Sequence, residues 1–409
     1  MLSFCRYIIL FLITLSSCNS HKEEHNGDIL RIKIPDIKEE QRTQLYASDF
    51  ISDIEYIALE THPQCLIGDV VITSISENYI VVFSSNEYNC FLFSRNGKFI
   101  RKIGQRGDGP EDYYSGSYKL KIDEKLGIVF LIGLRYIYSY RITGEFIKKF
   151  DSGELLKTID IKRISNIMHW KDNLFCADVF FESGDETYRF FIFSLDGDII
   201  KLYPNYLKIE GVNFSKYNID SYFFCYREQI YFKEVFSDTL FVINDQLDFV
   251  PEIIIDIQNK RTDVTIVAEP PYNKEFIRYV YKFENYIFLH GSVFCIFDKK
   301  NNKLDIIKHD HSITWERFIN NESIKFHFLG LTNDIDGGLA FFPFEILFKI
   351  QNDKQFIRAF QSYELKAYLT DEYLSKRKIK DPEAHKRLKK LLSELDGDDN
   401  PVLMIATVK

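Results

Sequence analysis

One stretch concentrates side chains that could do chemistry. Residues 104–117 read GQRGDGPEDYYSGS and place a guanidinium, three carboxylates and two phenol rings close together: Arg106, Asp108, Glu111, Asp112, Tyr113 and Tyr114. Flat rings beside charged groups suit a sugar or peptide, whose apolar faces stack while its polar edges are bonded. Gly104, Gly107 and Gly109 admit backbone shapes closed to other residues, and Pro110 fixes one φ. These six side chains are therefore expected to bind ligand. The same glycine-rich corner equally suits a purely structural staple.

A second polar-aromatic cluster holds His309, Asp310, His311, Trp315, Glu316 and Arg317. Trp315 and Arg317 are expected to join the ligand contacts. His309 and His311 share a face if extended, but two imidazoles without a third ligand make no zinc site. Asp334-Ile335-Asp336-Gly337 has the start of a calcium loop without its closing Glu. It reads as a turn. No nucleophile elbow, phosphate-binding loop or H-E-x-x-H helix is present. The expectation is a protein without metal or cofactor and without a catalytic set legible in the sequence.

The elements that carry these residues repeat. An aromatic residue stands four positions ahead of a polar turn six times: Phe93 to Gly97, Tyr140 to Gly144, Phe193 to Gly197, Phe241 to Asp245, Phe297 to Asn301 and Phe348 to Asn352. The intervals between aromatics are 47, 53, 48, 56 and 51 residues. A period near 50 filled with strand-like runs predicts propeller blades, one per repeat. Asn96-Gly97 between apolar runs is a hairpin signal, since both residues tolerate positive φ. The sixth blade is expected from Ile324–Leu329, Leu339–Phe342, Ile346–Ile350 and Phe356–Phe360. With 37 Phe and 25 Tyr, the composition suits sheets packed face to face.

Leu374–Leu395 reads as helix, divided by Pro382. Its KRKIK and HKRLKK runs read as solvated faces. Val402–Val408 is a last strand, and either it or Ile54–Leu59 is expected to pair across the ring seam. The long segments 104–117, 151–162, 203–220, 256–275 and 309–323 join one blade's outer strand to the next blade's inner strand. Binding residues concentrate on long loops of rigid scaffolds, so this inter-blade face is the expected working surface.

The formal charge is −8, which lacks the basic footprint of a nucleic-acid binder. At the start, Arg6 precedes the apolar run Tyr7–Leu15, which is short for a membrane span. Leu15-Ser16-Ser17-Cys18 resembles a bacterial lipobox. The resemblance implies cleavage before Cys18, lipidation of that residue and attachment to a membrane. Lys22-Glu23-Glu24 resembles a surface-export tag, and equally a solvated tether. Cys65, Cys90, Cys176, Cys225 and Cys295 show no metal spacing and read as buried small hydrophobes.

These features together are similar to the six-bladed β-propeller lipoproteins of Bacteroides-type bacteria, which are NHL-like. The likeness rests on the lipobox, the six aromatic-turn units, Arg101-Lys102-Ile103-Gly104 leading into Gly107–Tyr113, and Asn333–Pro343. Asp112 stands where that family more often has Glu. The resemblance implies an outer-membrane lipoprotein, periplasmic or surface-exposed, and no settled activity. The expected layout is a signal at 1–17, a tether at 18–28, an all-β six-bladed propeller at 29–365, a short helical extension at 366–396 and a C-terminal strand at 397–409. The expected function is binding of a glycan, peptide or envelope protein. The alternative is a hydrolase or lyase with its site in the central channel, assembled from several blades.

Overall fold

The computed structural model describes residues 29–35, 42–68, 71–84, 87–114, 116, 118–180, 186–205, 221–234, 237–257, 277–291, 293–308, 314–319, 322–327, 330–342, 348–350 and 353–409. The signal and lipidation site at Cys18, and His309, Asp310 and His311, lie outside the described residues.

The chain is a six-bladed β-propeller, mostly strand, with C-terminal helices. Blades one to three are four-stranded antiparallel sheets in sequence order, starting at Val71–Ile75, Lys119–Asp123 and Ile164–Lys171. Blade four starts at Ser221–Tyr226 and blade five at Ile277–Lys282. Successive side chains point to opposite faces, and near-continuous burial along the middle strands gives each sheet two apolar faces to cover. The neighbours cover them. Phe83, Tyr138 and Tyr140 pack between blades one and two. Phe130, Phe175 and Phe193 fill the space between two and three. Phe190, Phe223 and Phe232 join three to four. One continuous cluster joins four, five and six, and Phe91, Phe93, Ile357 and Ile405 close six against one. No blade has a core of its own, so the ring is stable only as a ring.

The turns between third and fourth strands follow the repeat. Gly97, Gly144 and Gly197 all have positive φ. Gly97 also needs the missing side chain, because a Cβ there would collide with the carbonyl oxygen of Ala58 in the neighbouring blade. The aromatic four residues earlier is buried in each of these three blades, with Phe93, Tyr140 and Phe193 at 0–1% exposure.

The sixth blade departs from the expectation. Its sheet runs Phe348–Ile350, Gln355–Phe360, Val402–Val408 and Ile51–Ala58. Both terminal strands named above take part, paired antiparallel with Ile51 opposite Val408 and Ala58 opposite Val402. Ile51–Ala58 is the outer strand, because it meets the next blade as other outer strands do. Arg95 pairs with Glu55 at 2.6 Å and Glu60 N–H donates to Gly97 O at 2.8 Å. Lys148 of blade two reaches Leu195 O of blade three in the same way. Phe348–Ile350 is then the inner strand, and the turn after Phe348 joins the first and second strands rather than the third and fourth. Leu339–Phe342 is not a blade strand, nor is the described part of the expected Ile324–Leu329 strand, which reaches His327. Glu322–His327 instead pairs with Thr314–Ile319 in a separate hairpin. Residues 339–342 are buried without a strand, apart from a single bridge from Phe341 to Leu331.

The N-terminal segment is a belt. Leu30–Ile34 adds a fifth, parallel strand to the outer edge of blade four, with Ile32 opposite Ile255. Thr43 then bonds to Ile306 and Lys308 of blade five, and Ala47 to Thr332, before the chain enters blade six. Covering the edge strand removes a site for unwanted pairing.

The helical region is an insertion within blade six. Ser362–Tyr368, Asp371–Ser375 and Pro382–Glu394 lie between its second and third strands. Pro382 starts a helix rather than breaking one. It sits in the first turn, where no N–H is needed, and Asp381 caps the helix by accepting from Ala384 N at 2.9 Å. The expected loop at 151–162 also contains a helix, Ser152–Thr158, capped by Asp151. The five cysteines of the described residues form no disulfide; four are buried and Cys225 is partly exposed.

Candidate ligand-binding site

The corner at 104–114 is closely packed. Tyr113 N–H donates to Gln105 O at 3.0 Å and Gly107 N–H to Tyr113 O at 3.2 Å, which folds the segment back on itself. Asp112 sits under the turn and accepts from Gly109 N–H at 3.0 Å. A Cβ on Gly107 or Gly109 would run into the Asp112 carboxylate, and one on Gly104 would meet the Tyr140 ring at 2.6 Å. Tyr140 Oη–H in turn donates to Glu111 O at 2.7 Å.

Tyr113 is the anchor. It is fully buried, edge-on to Phe83, Tyr118, Tyr138 and Tyr140, and its hydroxyl accepts from Cys90 N–H at 3.2 Å. Burial pushes its phenol far above the ordinary range. Its ring therefore belongs to the interface of blades one and two and faces no open surface. Arg106, Asp108, Glu111 and Tyr114 are exposed. They do not form one cluster with Tyr113: Arg106 lies over Tyr88 at 5.0 Å, while Tyr114 packs on Tyr136 at 5.5 Å and receives the Lys149 ammonium at 4.4 Å. Trp315 and Arg317 lie on the strand Thr314–Ile319 of the separate hairpin.

A different place brings side chains together. A cavity of about 220 Å³ opens where the inner strands of blades two to five begin. It is lined by Lys119 of blade two, Ser165 and Asn166 of blade three, Ser221 and Tyr222 of blade four, and Arg278 and Tyr279 of blade five. Each stands within the first three residues of its inner strand, directly after an inter-blade segment. The cavity is thus the inter-blade mouth of the central channel.

The opposite end is bridged by the turns between first and second strands. Asn78 N–H donates to Glu124 at 3.1 Å and Trp170 Nε1–H to Glu228 O at 2.7 Å. Arg227 N–H crosses to Asp353 at 2.9 Å and the Arg227 guanidinium reaches Glu284 at 3.6 Å.

The mouth is backed by a buried acid. Asp178 is completely buried and accepts from Ser221 Oγ–H. Desolvation pushes its carboxyl up, opposed by the charges of Arg189 and Lys119 and by the Ser221 and Ser165 hydroxyls. Arg189 is held in turn by the part-buried Glu234 at 2.7 Å and by a buried bond to Val179 O at 2.8 Å. Lys119 donates to Asn166 Oδ1. Tyr222 and Tyr279 stand edge to face at 5.1 Å and carry the wall into the blade core. Among the described residues, no three His, Cys, Asp or Glu side chains are grouped as a metal would require.

None of the mouth residues belongs to the clusters named from sequence. They are one or two residues from each of four repeats about 50 positions apart, each in an ordinary strand, and only a ring brings them together. The legible signal was positional: the residue after each long inter-blade segment begins an inner strand.

The fold is that of a six-bladed β-propeller with C-terminal helices. A family model described as a domain of unknown function, DUF4934, matches residues 30–407, and the chain belongs to that family. No curated protein sequence matches the chain. Among solved structures, the chain is similar to a putative exported protein from Bacteroides fragilis, at 14% identity and a TM-score of 0.58, covering 93% of this chain and 100% of the other. It is also similar to a DUF4221-family member from Bacteroides vulgatus, at 11% identity and 0.46, covering 88% and 97%. Virginiamycin B lyase from Staphylococcus aureus overlaps at 12% identity and a TM-score of 0.38, covering 68% of this chain and 88% of the other. Only the first overlap is good enough to carry an argument, and it shows the fold alone.

Proposed function

We propose that this chain is an envelope binding module that takes a glycan, a peptide or a group of a partner protein into the inter-blade mouth of its channel. The observation that carries the reading is the 220 Å³ cavity fed by four inner strands, at the end of the channel opposite the bridged turns. Rigid strands rather than mobile loops present its polar groups, so a ligand meets them already positioned. The Leu15–Cys18 run supports a lipid anchor in the envelope.

The test is a glycan and peptide array probed with the full-length protein in detergent. Asn166→Trp, which fills the mouth, is expected to abolish binding, and Tyr114→Ala, which removes an exposed ring of the corner, to leave it unchanged. The reverse pattern would move the site to the corner and overturn this assignment. Reading the same panel for products separates a binding module from a channel hydrolase or lyase.

A further inference from the structure

Resting on that reading, we infer that the mouth recognises a carboxylated sugar ring. Among the described lining residues, the charged side chains are Lys119 and Arg278, both cationic, in a chain of net charge −8. They come from blades two and five, so their convergence is a property of the ring and not of a local charge run. The nearby acid, Asp178, is withdrawn from the cavity behind Ser221 and is already bonded to it. A site with two cations in its lining and its acid set behind the wall favours an anionic group, and a guanidinium suits the two oxygens of a carboxylate.

The rest of the lining calls for hydroxyls. Because Ser221 donates its proton to Asp178, its oxygen is left to accept from a ligand. Ser165, whose hydroxyl is likewise turned to Asp178, adds a second acceptor oxygen, and Asn166, whose oxygen is taken by Lys119, adds amide donors. A ligand that accepts at one side and donates at the other carries both a carboxylate and hydroxyl groups. Tyr222 and Tyr279 add aromatic surface for the apolar face of a ring. A volume of about 220 Å³ lies below the range of drug-sized pockets and suits a single ring.

Titration calorimetry on the full-length protein in detergent tests this with glucuronate, its methyl ester, glucose, and an oligosaccharide ending in glucuronate. Glucuronate or the oligosaccharide is expected to bind at least tenfold more tightly than glucose or the ester. Preference for the oligosaccharide would identify a chain end, rather than free sugar, as the source. Arg278→Gln and Lys119→Gln are each expected to weaken the acid about tenfold, with melting temperatures showing that both variants fold. Equal binding of acid, ester and glucose overturns the inference, as does an unchanged affinity in both variants. If none of these sugars binds while array ligands do bind in an Asn166-dependent way, the sugar-acid inference falls and the binding module stands. If nothing binds in either experiment, both fall.

Discussion

The corner at 104–114 and the channel mouth are adjacent in the chain and opposite in character. Lys119 follows the corner by only a few residues. The corner is dense in charges, rings and glycines, yet its central ring is buried and its glycines make room for Asp112 and Tyr140. The mouth has no motif, yet it gathers two cations, hydroxyls, an amide and two rings around open space. A local run of conspicuous residues here reports a local conformational need. A recognition surface in a ring is built from residues far apart in sequence.

The sharpest way to break this contrast is at Tyr113. Tyr113→Ala is expected to cost about 3–5 kcal/mol in urea unfolding, because it empties a packed aromatic site. Tyr113→Phe, which loses only the bond from Cys90 N–H, is expected to cost about 1 kcal/mol. A Tyr113→Ala protein of unchanged stability would show the corner to be something other than a staple.

Next in size is the pair behind the mouth. Arg189→Met leaves the part-buried Glu234 without its cation and the buried Val179 O without its donor, and is expected to cost about 3 kcal/mol by the same measurement. That loss would show the mouth to be held by the blade three–four interface. A cost below about 0.5 kcal/mol would mark the pair as dispensable.

A third prediction concerns the junction of the helical insertion with the propeller. Asp336 is buried, accepts from Gly338 N–H at 2.8 Å and Asn333 Nδ2–H at 2.7 Å, and is pushed up to about 6 by desolvation. Its folded value exceeds its unfolded one. The stability it contributes is therefore full below about pH 4 and lost as pH rises through 6. At pH 8 the charged carboxylate opposes folding by up to roughly 3 kcal/mol, at about 1.4 kcal/mol per unit. Asp336→Asn is expected to be more stable than the parent at pH 8, with the gap closing below pH 5. Thermal melts at both pH values check the sign, and a gap that widens toward acid would refute it.

The smallest effect belongs to the exposed rim. Tyr114→Ala is expected to change stability by less than about 1 kcal/mol, since the ring is 39% exposed and has lateral contacts with Tyr136 and Lys149. A larger loss would join Tyr114 to the corner's structural role.

Much of the architecture was legible before any coordinates. The aromatic-turn period marked five blades at the correct turn because Asn-Gly, Thr-Gly and Asp-Gly hairpins are local events that short-range sterics decide. The corner's glycine spacing was legible as either of two things, and only the position of Tyr113 between two sheets selects the staple. Blade six misled because its last hairpin has no turn. Its third and outer strands are the two ends of the chain, more than 340 residues apart, so nothing between them in sequence marks the pairing.

The amino-acid sequence alone therefore determined the repeating unit, the strand alternation and the turn chemistry, each of which depends on residues a few positions apart. The tertiary structure decided how the ring closes, where the N-terminal belt runs and which side chains meet at the channel mouth. Those outcomes depend on packing whole sheets against one another. An apolar strand carries the same alternating pattern whichever neighbour it pairs with, and a lysine at the start of a strand looks the same whether it faces solvent or a shared cavity.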